Sequence, residues 1–183
     1  MTHIAALPKE AISDPDLRAL MAEGEALGVP DDLFPRIIAR APEQAVPLMR
    51  ALIVSHAQGN VDHSLKEIMR ILLARFANDK YFASLRSAKA CAMGLTEQRI
   101  DDGCLAYEDD AKGFSPADKC ALRHADMMFL DANRLDKSFY DEMKQYWSEA
   151  QIMELGAFIA FHYGMQMFMR SLGAVSPVWS GRK

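Results

Sequence analysis

Glu67, Asp79, Tyr81 and Arg86 fall within a twenty-residue stretch that is otherwise mostly apolar. A carboxylate, a second acid, a phenol and a guanidinium so close together suit proton transfer on an anionic substrate. A guanidinium can hold a carboxylate in bidentate fashion, and a carboxylate can take up or release a proton. Two histidines could join them. His162 sits in a segment apolar on nearly every side, with Tyr163 beside it and Gln166 one turn on. It is either a satisfied core residue or a general base. His56, near the end of another apolar segment, could approach the same cleft.

Helical periodicity must position these groups. On a wheel of about 100° per residue, His63, Lys66, Glu67, Arg70, Ala74 and Asn78 share one narrow stripe. Ile71 and Leu73 flank it, and Leu65, Ile68, Met69, Leu72 and Phe76 lie opposite. The stripe is either a solvated face with a weak Glu67–Arg70 pair, worth a few tenths of a kcal/mol, or a polar line aimed into a cleft. His63 and Glu67 have the i,i+4 spacing of metal ligands, but no third ligand has matching spacing, so no metal is expected. In a helix running from Lys80 to Met93, Arg86 shares its side with Asp79, Phe82, Ala83, Ala90 and Met93. An arginine among apolar and small residues needs a partner, because a lone buried charge costs several kcal/mol. That partner is an acid such as Asp79 or Glu67, or a substrate carboxylate.

The remaining sequence bounds the answer. One domain of ordinary size fits 183 residues, half of them hydrophobic and a quarter charged. The net charge of −4 and the lack of a basic block argue against nucleic acid as a partner. Cys91, Cys104 and Cys120 form no C-x-x-C, and an odd count without a signal peptide implies a reducing, cytoplasmic setting. The apolar run from Leu155 to Met169 is shorter than the roughly 20 residues of a membrane span, so no membrane is expected.

Helix signals recur without strand-like alternation. Ser13-Asp14-Pro15 opens a first helix that ends near Gly28. Short helices or longer ones follow from Val29-Pro30-Asp31, Glu43, Asp62, Lys80 and Thr96. Ser115-Pro116-Ala117-Asp118 starts a seventh, Lys137 an eighth, and Ser148-Glu149-Ala150-Gln151 caps the last, which closes at Gly173. An all-α, single-domain helical bundle over residues 1–183 is expected, with N-terminal helices over 1–49, a core over 50–173 and an arm carrying Trp179 over 174–183.

The spacing also resembles a family. Glu67, eleven residues, Asp79-Lys80-Tyr81-Phe82, three more, Arg86, and then Ala90 and Gly94-Leu95 are similar to the core motif of the carboxymuconolactone decarboxylase/alkylhydroperoxidase D superfamily. "FSPADKCALRHADMMF" and "YWSEAQIMELGAFIAFHYGMQMFMRSLG" resemble its later helices. The resemblance runs from Arg50 to Gly173. It implies the alkylhydroperoxidase D-like bundle, assembled as a homo-oligomer, trimer or hexamer, without a cofactor. Glu67 stands at the family's relay glutamate and Tyr81 at its tyrosine. Asp79 and Phe82 stand where the family keeps two cysteines, and Arg86 where it keeps a histidine.

With both thiols missing, a dithiol peroxidase is not encoded. What the resemblance then implies is a lyase or decarboxylase on a small carboxylated compound. Glu67, Arg86 and His162 would be its catalytic residues, and Asp79, Tyr81, Phe82 and His56 would line its substrate site. The alternative is a non-catalytic oligomeric binding protein that kept the fold.

Overall fold

The structure is a computed structural model that describes residues 2–174. The expected arm with Trp179 lies outside the described residues. Within them the chain is helical and has no strand.

Most of the helices begin where a side chain can accept the free amide protons of the first turn. Asp14 caps α1 (Pro15–Ala26), with Pro15 at its first position. Then come α2 (Leu33–Ile38) and α3 (Pro42–Ala57). Asp62 caps α4 (His63–Phe76) and Asp79 caps α5 (Lys80–Ser84). Ser87 caps α6 (Ala88–Ala92) and Thr96 caps α7 (Glu97–Leu105). Ser115 and Asp118 form a capping box at α8 (Pro116–Leu130), as Ser148 and Gln151 do at α10 (Glu149–Ser171). Between these two, Asp136 caps α9 (Lys137–Met143).

One expectation is overturned. The helix expected from Lys80 to Met93 is two short helices, α5 and α6, separated by extended backbone at Leu85 (φ −75°, ψ 148°) and Ser87 (φ −70°, ψ 120°). Three interactions hold the break open. The Arg70 guanidinium takes the carbonyls of Phe82 and Leu85, both at 2.8 Å. The Ser87 amide donates to Glu67 at 2.8 Å. The Ser87 hydroxyl meets the Ala90 amide at 3.3 Å, starting α6.

α4 is the axis of the bundle and packs against α3, α5, α7, α8 and α10. One apolar cluster centres on Ile68, Leu72, Leu122, Leu155 and Phe158. A second centres on Leu17, Phe34, Met49, Ile53, Phe82 and Met169. α4 joins the two, so even its charged residues Lys66, Glu67 and Arg70 are buried. No helix among the described residues is long and apolar enough to cross a membrane.

Candidate functional site

The polar stripe of α4 points inward, and each charge on it has a partner. Glu67 Oε2 accepts from Arg70 Nε at 2.8 Å and lies 3.1 Å from His56 Nε2. Its Oε1 accepts from Arg70 Nη2 at 2.7 Å and from the Ser87 amide at 2.8 Å. Burial by itself would raise the Glu67 pKa. The adjoining guanidinium, with the hydrogen bonds from Arg70 and His56, instead holds it far below the usual carboxylate range. An ionised Glu67 can only accept, so the His56 Nε2 carries the proton and its Nδ1 presents a lone pair.

A second chain of bonds fixes the ring positions. His63 Nδ1 lies 3.0 Å from the His56 carbonyl and must donate to it, so His63 Nε2 accepts the Ser87 hydroxyl at 2.9 Å. Ser87 thus serves His63, Glu67 and the start of α6 together. On α10, Gln166 donates to the Arg70 carbonyl at 3.1 Å. Lys66 pairs with Glu154 and donates to the Gln58 carbonyl at 2.5 Å. Glu154 also accepts the amides of Asn60 and Val61 at 2.8 and 3.2 Å, which fastens the turn after α3 to α10.

His162 joins this cluster from α10. Its ring centroid is 5.6 Å from that of His56 and 4.2 Å from that of Phe158. The nitrogens His56 Nδ1, His162 Nδ1 and His162 Nε2 are buried without hydrogen-bond partners among the described residues. Burial depresses the basicity of both rings, and for His56 it outweighs the favourable Glu67 contact. The site is therefore an oriented His56–Glu67 pair facing a second neutral imidazole in a dry interior.

The other expected site residues lie elsewhere. The reading that turns Arg86 inward is corrected. Its guanidinium grips Glu97 at 2.7 and 2.8 Å and donates to the carbonyls of Ala83 and Leu85. Glu97 is largely exposed, so this pair sits at the surface. The wheel behind that reading required a continuous helix; with the break at Leu85–Ser87 the Arg86 guanidinium pairs with Glu97, and Glu67 is taken by Arg70. Asp79 accepts the Phe82 amide at 3.0 Å as a helix cap, and its other oxygen is unpartnered among the described residues. Phe82 is wholly buried in the second apolar cluster. The Tyr81 hydroxyl donates to Asp31 at 2.5 Å, away from the histidines. Of the residues named from sequence, Glu67, His56 and His162 come together.

Arg70, His63 and Ser87 complete the cluster. Arg70 was visible in sequence as a surface partner of Glu67; the missing signal was the burial of α4 on all sides. Outside the cluster, a groove of about 670 Å³ runs along the outer side of α3 and α10. Val54, Ser55, Gln58, Met153, Ala157 and Phe161 line it.

Comparison with known proteins places the architecture. The debrominase Bmp8 superposes with a TM-score of 0.77, covering 94% of this chain and 91% of its own at 18% identity. A cysteine-to-alanine variant of that debrominase in complex with 2,3,4-tribromopyrrole gives 0.78 at 18% identity, covering 95% and 91%. An uncharacterized peroxidase-related protein with an alkylhydroperoxidase AhpD core, from Ralstonia eutropha JMP134, gives 0.74 at 12% identity, covering 93% and 90%. The chain therefore has the carboxymuconolactone decarboxylase/alkylhydroperoxidase D-like fold. In sequence, the uncharacterized protein YdfG of Bacillus subtilis is 23% identical over 99 residues, 54% of this chain. The match spans 66% of that relative's length. No family model matches the chain.

Proposed function

We propose that the chain is a lyase or decarboxylase that works without a cofactor, moving a proton at carbon in a small carboxylated substrate. His56 is the acid/base, Glu67 and Arg70 orient it, and His162 is the second ring of the site. One observation carries this reading. Three imidazole nitrogens are buried without partners among the described residues, where each unmet polar atom costs about 1–3 kcal/mol. His124 is likewise unpartnered among apolar neighbours; what sets His56 and His162 apart is that their unmet nitrogens lie together beside the Glu67–Arg70 pair, where a bound molecule would satisfy them.

In a decarboxylation the carbon–carboxylate bond breaks, carbon dioxide leaves, and the electron pair left on carbon takes a proton. A substrate carboxylate brought beside His56 would raise its basicity, so that the ring would be protonated and could deliver that proton. Glu67 keeps Nε2 occupied, so the exchangeable proton rides on Nδ1. The α3/α10 groove is the nearest outer hollow: Phe161 lines it, and the ring of its neighbour His162 lies 5.6 Å from that of Phe161, edge to face, so a shift of Phe161 would be needed to connect the two.

A dithiol peroxidase does not fit these residues. Asp79 and Phe82 occupy the two cysteine positions implied by the resemblance. Burial pushes the Cys104 and Cys120 thiols up to about 11, where little thiolate forms near neutral pH.

A homo-oligomer, trimer or hexamer, belongs to the same reading. From Leu155 to Met169 α10 has no charged residue, yet Ala157, Ala160, Gly164, Met167 and Phe168 are exposed. Such a face is covered more favourably by protein than by water. Sedimentation velocity tests it, and a monomer across the working concentration range counts against it.

The second reading is a binding protein without turnover. It is favoured by Arg86 being paired with Glu97 and by Glu67 accepting four hydrogen bonds. The two separate by assaying carbon dioxide release from a panel of small unsaturated and lactone carboxylates. His56→Gln and His162→Leu are compared with wild type, with circular dichroism checking the fold. A catalytic base predicts a fall in kcat of about a hundredfold or more. Full turnover in both folded variants refutes the assignment.

A further inference from the structure

The outer side of α10 carries a pattern that packing within one copy does not use. Met153, Ala157, Ala160, Gly164, Met167 and Ser171 are all exposed, at intervals of four, three, four, three and four residues. That is the repeat of a coiled-coil seam, here facing away from the core. Met153 is 65% exposed, Met167 40%, and Phe168 beside it 45%.

The order along the seam is nearly the same read from either end. Each methionine stands seven residues from Ala160, with one small residue between, Ala157 on one side and Gly164 on the other. Such an order suits a two-fold axis at Ala160, where one patch meets itself. With a second α10 laid antiparallel, small residues cross at the centre and let the axes approach closely. The methionines then have somewhere to go. The α3/α10 groove of about 670 Å³, lined by Val54, Met153 and Ala157, lies where Met167 of the second copy arrives. A hollow of about 360 Å³, lined by Leu48, Gly164 and Phe168, lies where its Met153 arrives, and Phe161 borders both hollows.

Charge selects the direction. The uncharged run ends in Glu149, which meets only the exposed Lys144 at 2.9 Å, and in the exposed Arg170. Antiparallel packing sets each Glu149 beside the other copy's Arg170, whereas parallel packing would bring like charges together. We infer that α10 packs antiparallel against α10 of a second copy, about a two-fold axis at Ala160. The inference rests on the homo-oligomer reading above and narrows it, because a hexamer or a dimer can contain two-fold contacts and a cyclic trimer cannot. The second copy's helix then forms an outer wall of the hollow nearest the histidines.

The test uses the full chain with the exposed Cys91 changed to serine. Ala160→Cys puts two thiols at the axis, and a short bismaleimide should join them into covalent pairs. Met153→Cys or Met167→Cys alone should not cross-link, because fourteen residues of helix hold like positions about 21 Å apart. Both changes in one chain should cross-link, each thiol meeting its opposite in the second copy. In sedimentation velocity Ala160→Arg should halve the particle, hexamer to trimer or dimer to monomer, with the circular dichroism unchanged. Should that variant fail to fold, the cross-links still decide. An oligomer without these cross-links, or one that keeps its size in folded Ala160→Arg, overturns the pairing and leaves the homo-oligomer standing. Cross-linking by Met153→Cys alone means parallel helices and overturns it as well. A wild-type monomer overturns both readings and gives the seam to another occupant.

Discussion

Arg70 meets Glu67 edge to edge, Nε to Oε2 at 2.8 Å and Nη2 to Oε1 at 2.7 Å, with both side chains withdrawn from solvent. The guanidinium also spans the break between α5 and α6 through two carbonyls. Removing either partner strands the other's charge in the interior, a loss of about 3–5 kcal/mol. Arg70→Met and Glu67→Gln should therefore lower the urea midpoint strongly, and Arg70→Met should also loosen residues 82–87. Urea unfolding followed by circular dichroism checks the first expectation. Hydrogen exchange at the Ser87 amide, which rests on Glu67, checks the second.

Arg86 makes the opposite case. Its bidentate pair with Glu97 has the geometry of a strong contact, but Glu97 is 66% exposed on its side chain. Water and salt screen such a pair, so Arg86→Met should cost no more than about 1 kcal/mol. It should also leave any turnover unchanged. A large loss of activity in a stably folded Arg86→Met variant would restore the role that the sequence suggested.

Acid should unfold this protein through its buried histidines. His124 lies among Ala125, Phe139 and Tyr140 with both ring nitrogens unpartnered among the described residues, and burial lowers its pKa to about 4. His56 and His162 are shifted in the same direction. Each of these rings binds a proton more readily unfolded than folded, so stability declines as pH falls below the unfolded value near 6.5. For His124 the decline continues down to about pH 4. Glu67, whose folded pKa is depressed, adds a further loss as pH falls below the unfolded value near 4.5. Replacing His124 with Phe should remove one proton from the transition, flattening the slope by about 1.4 kcal/mol per pH unit between those limits. Urea unfolding at stepped pH measures it, and an unchanged slope would mean that His124 is solvated.

Much of the fold could be read from the chain because its signals are local. Asp14-Pro15, Ser115 with Asp118, and Ser148 with Gln151 act within one turn, and all three caps form as the residues indicate. The break at Leu85–Ser87 could not be read this way. Its cause is distant: Arg70 and Glu67 on α4 take over backbone groups that a continuous helix would have used internally. The same break decides Arg86, because only an unbroken wheel would face it inward. Glu67 was found because a carboxylate in an apolar stretch stands out. The Glu67–Arg70 pair is legible as an i,i+3 contact, but periodicity on one helix cannot report that α3, α5, α6, α7, α8 and α10 all pack on α4 and bury the pair. His56 and His162 are far apart in sequence, and only the packing of α3 and α10 over α4 brings their rings together.

Cysteines placed at 79 and 82, the positions that the resemblance sets against the family's thiols, should not create thiol chemistry. Asp79 is 4% exposed and Phe82 is sealed in the core beside Met169 and Tyr81. A Phe82→Cys change removes most of a packed ring, at a cost of about 3–5 kcal/mol. An Asp79→Cys change removes the cap of α5, at about 1 kcal/mol. Neither new thiol has a base beside it: Arg86 is turned to Glu97, and an arginine cannot accept a proton. Both should instead behave like Cys104 and Cys120, whose burial raises them to about 11. The double variant, if folded, should react with a colorimetric disulfide reagent at the single exposed Cys91 alone, as wild type does. Two additional fast-reacting thiols would show that α5 opens to solvent far more readily than its packing implies.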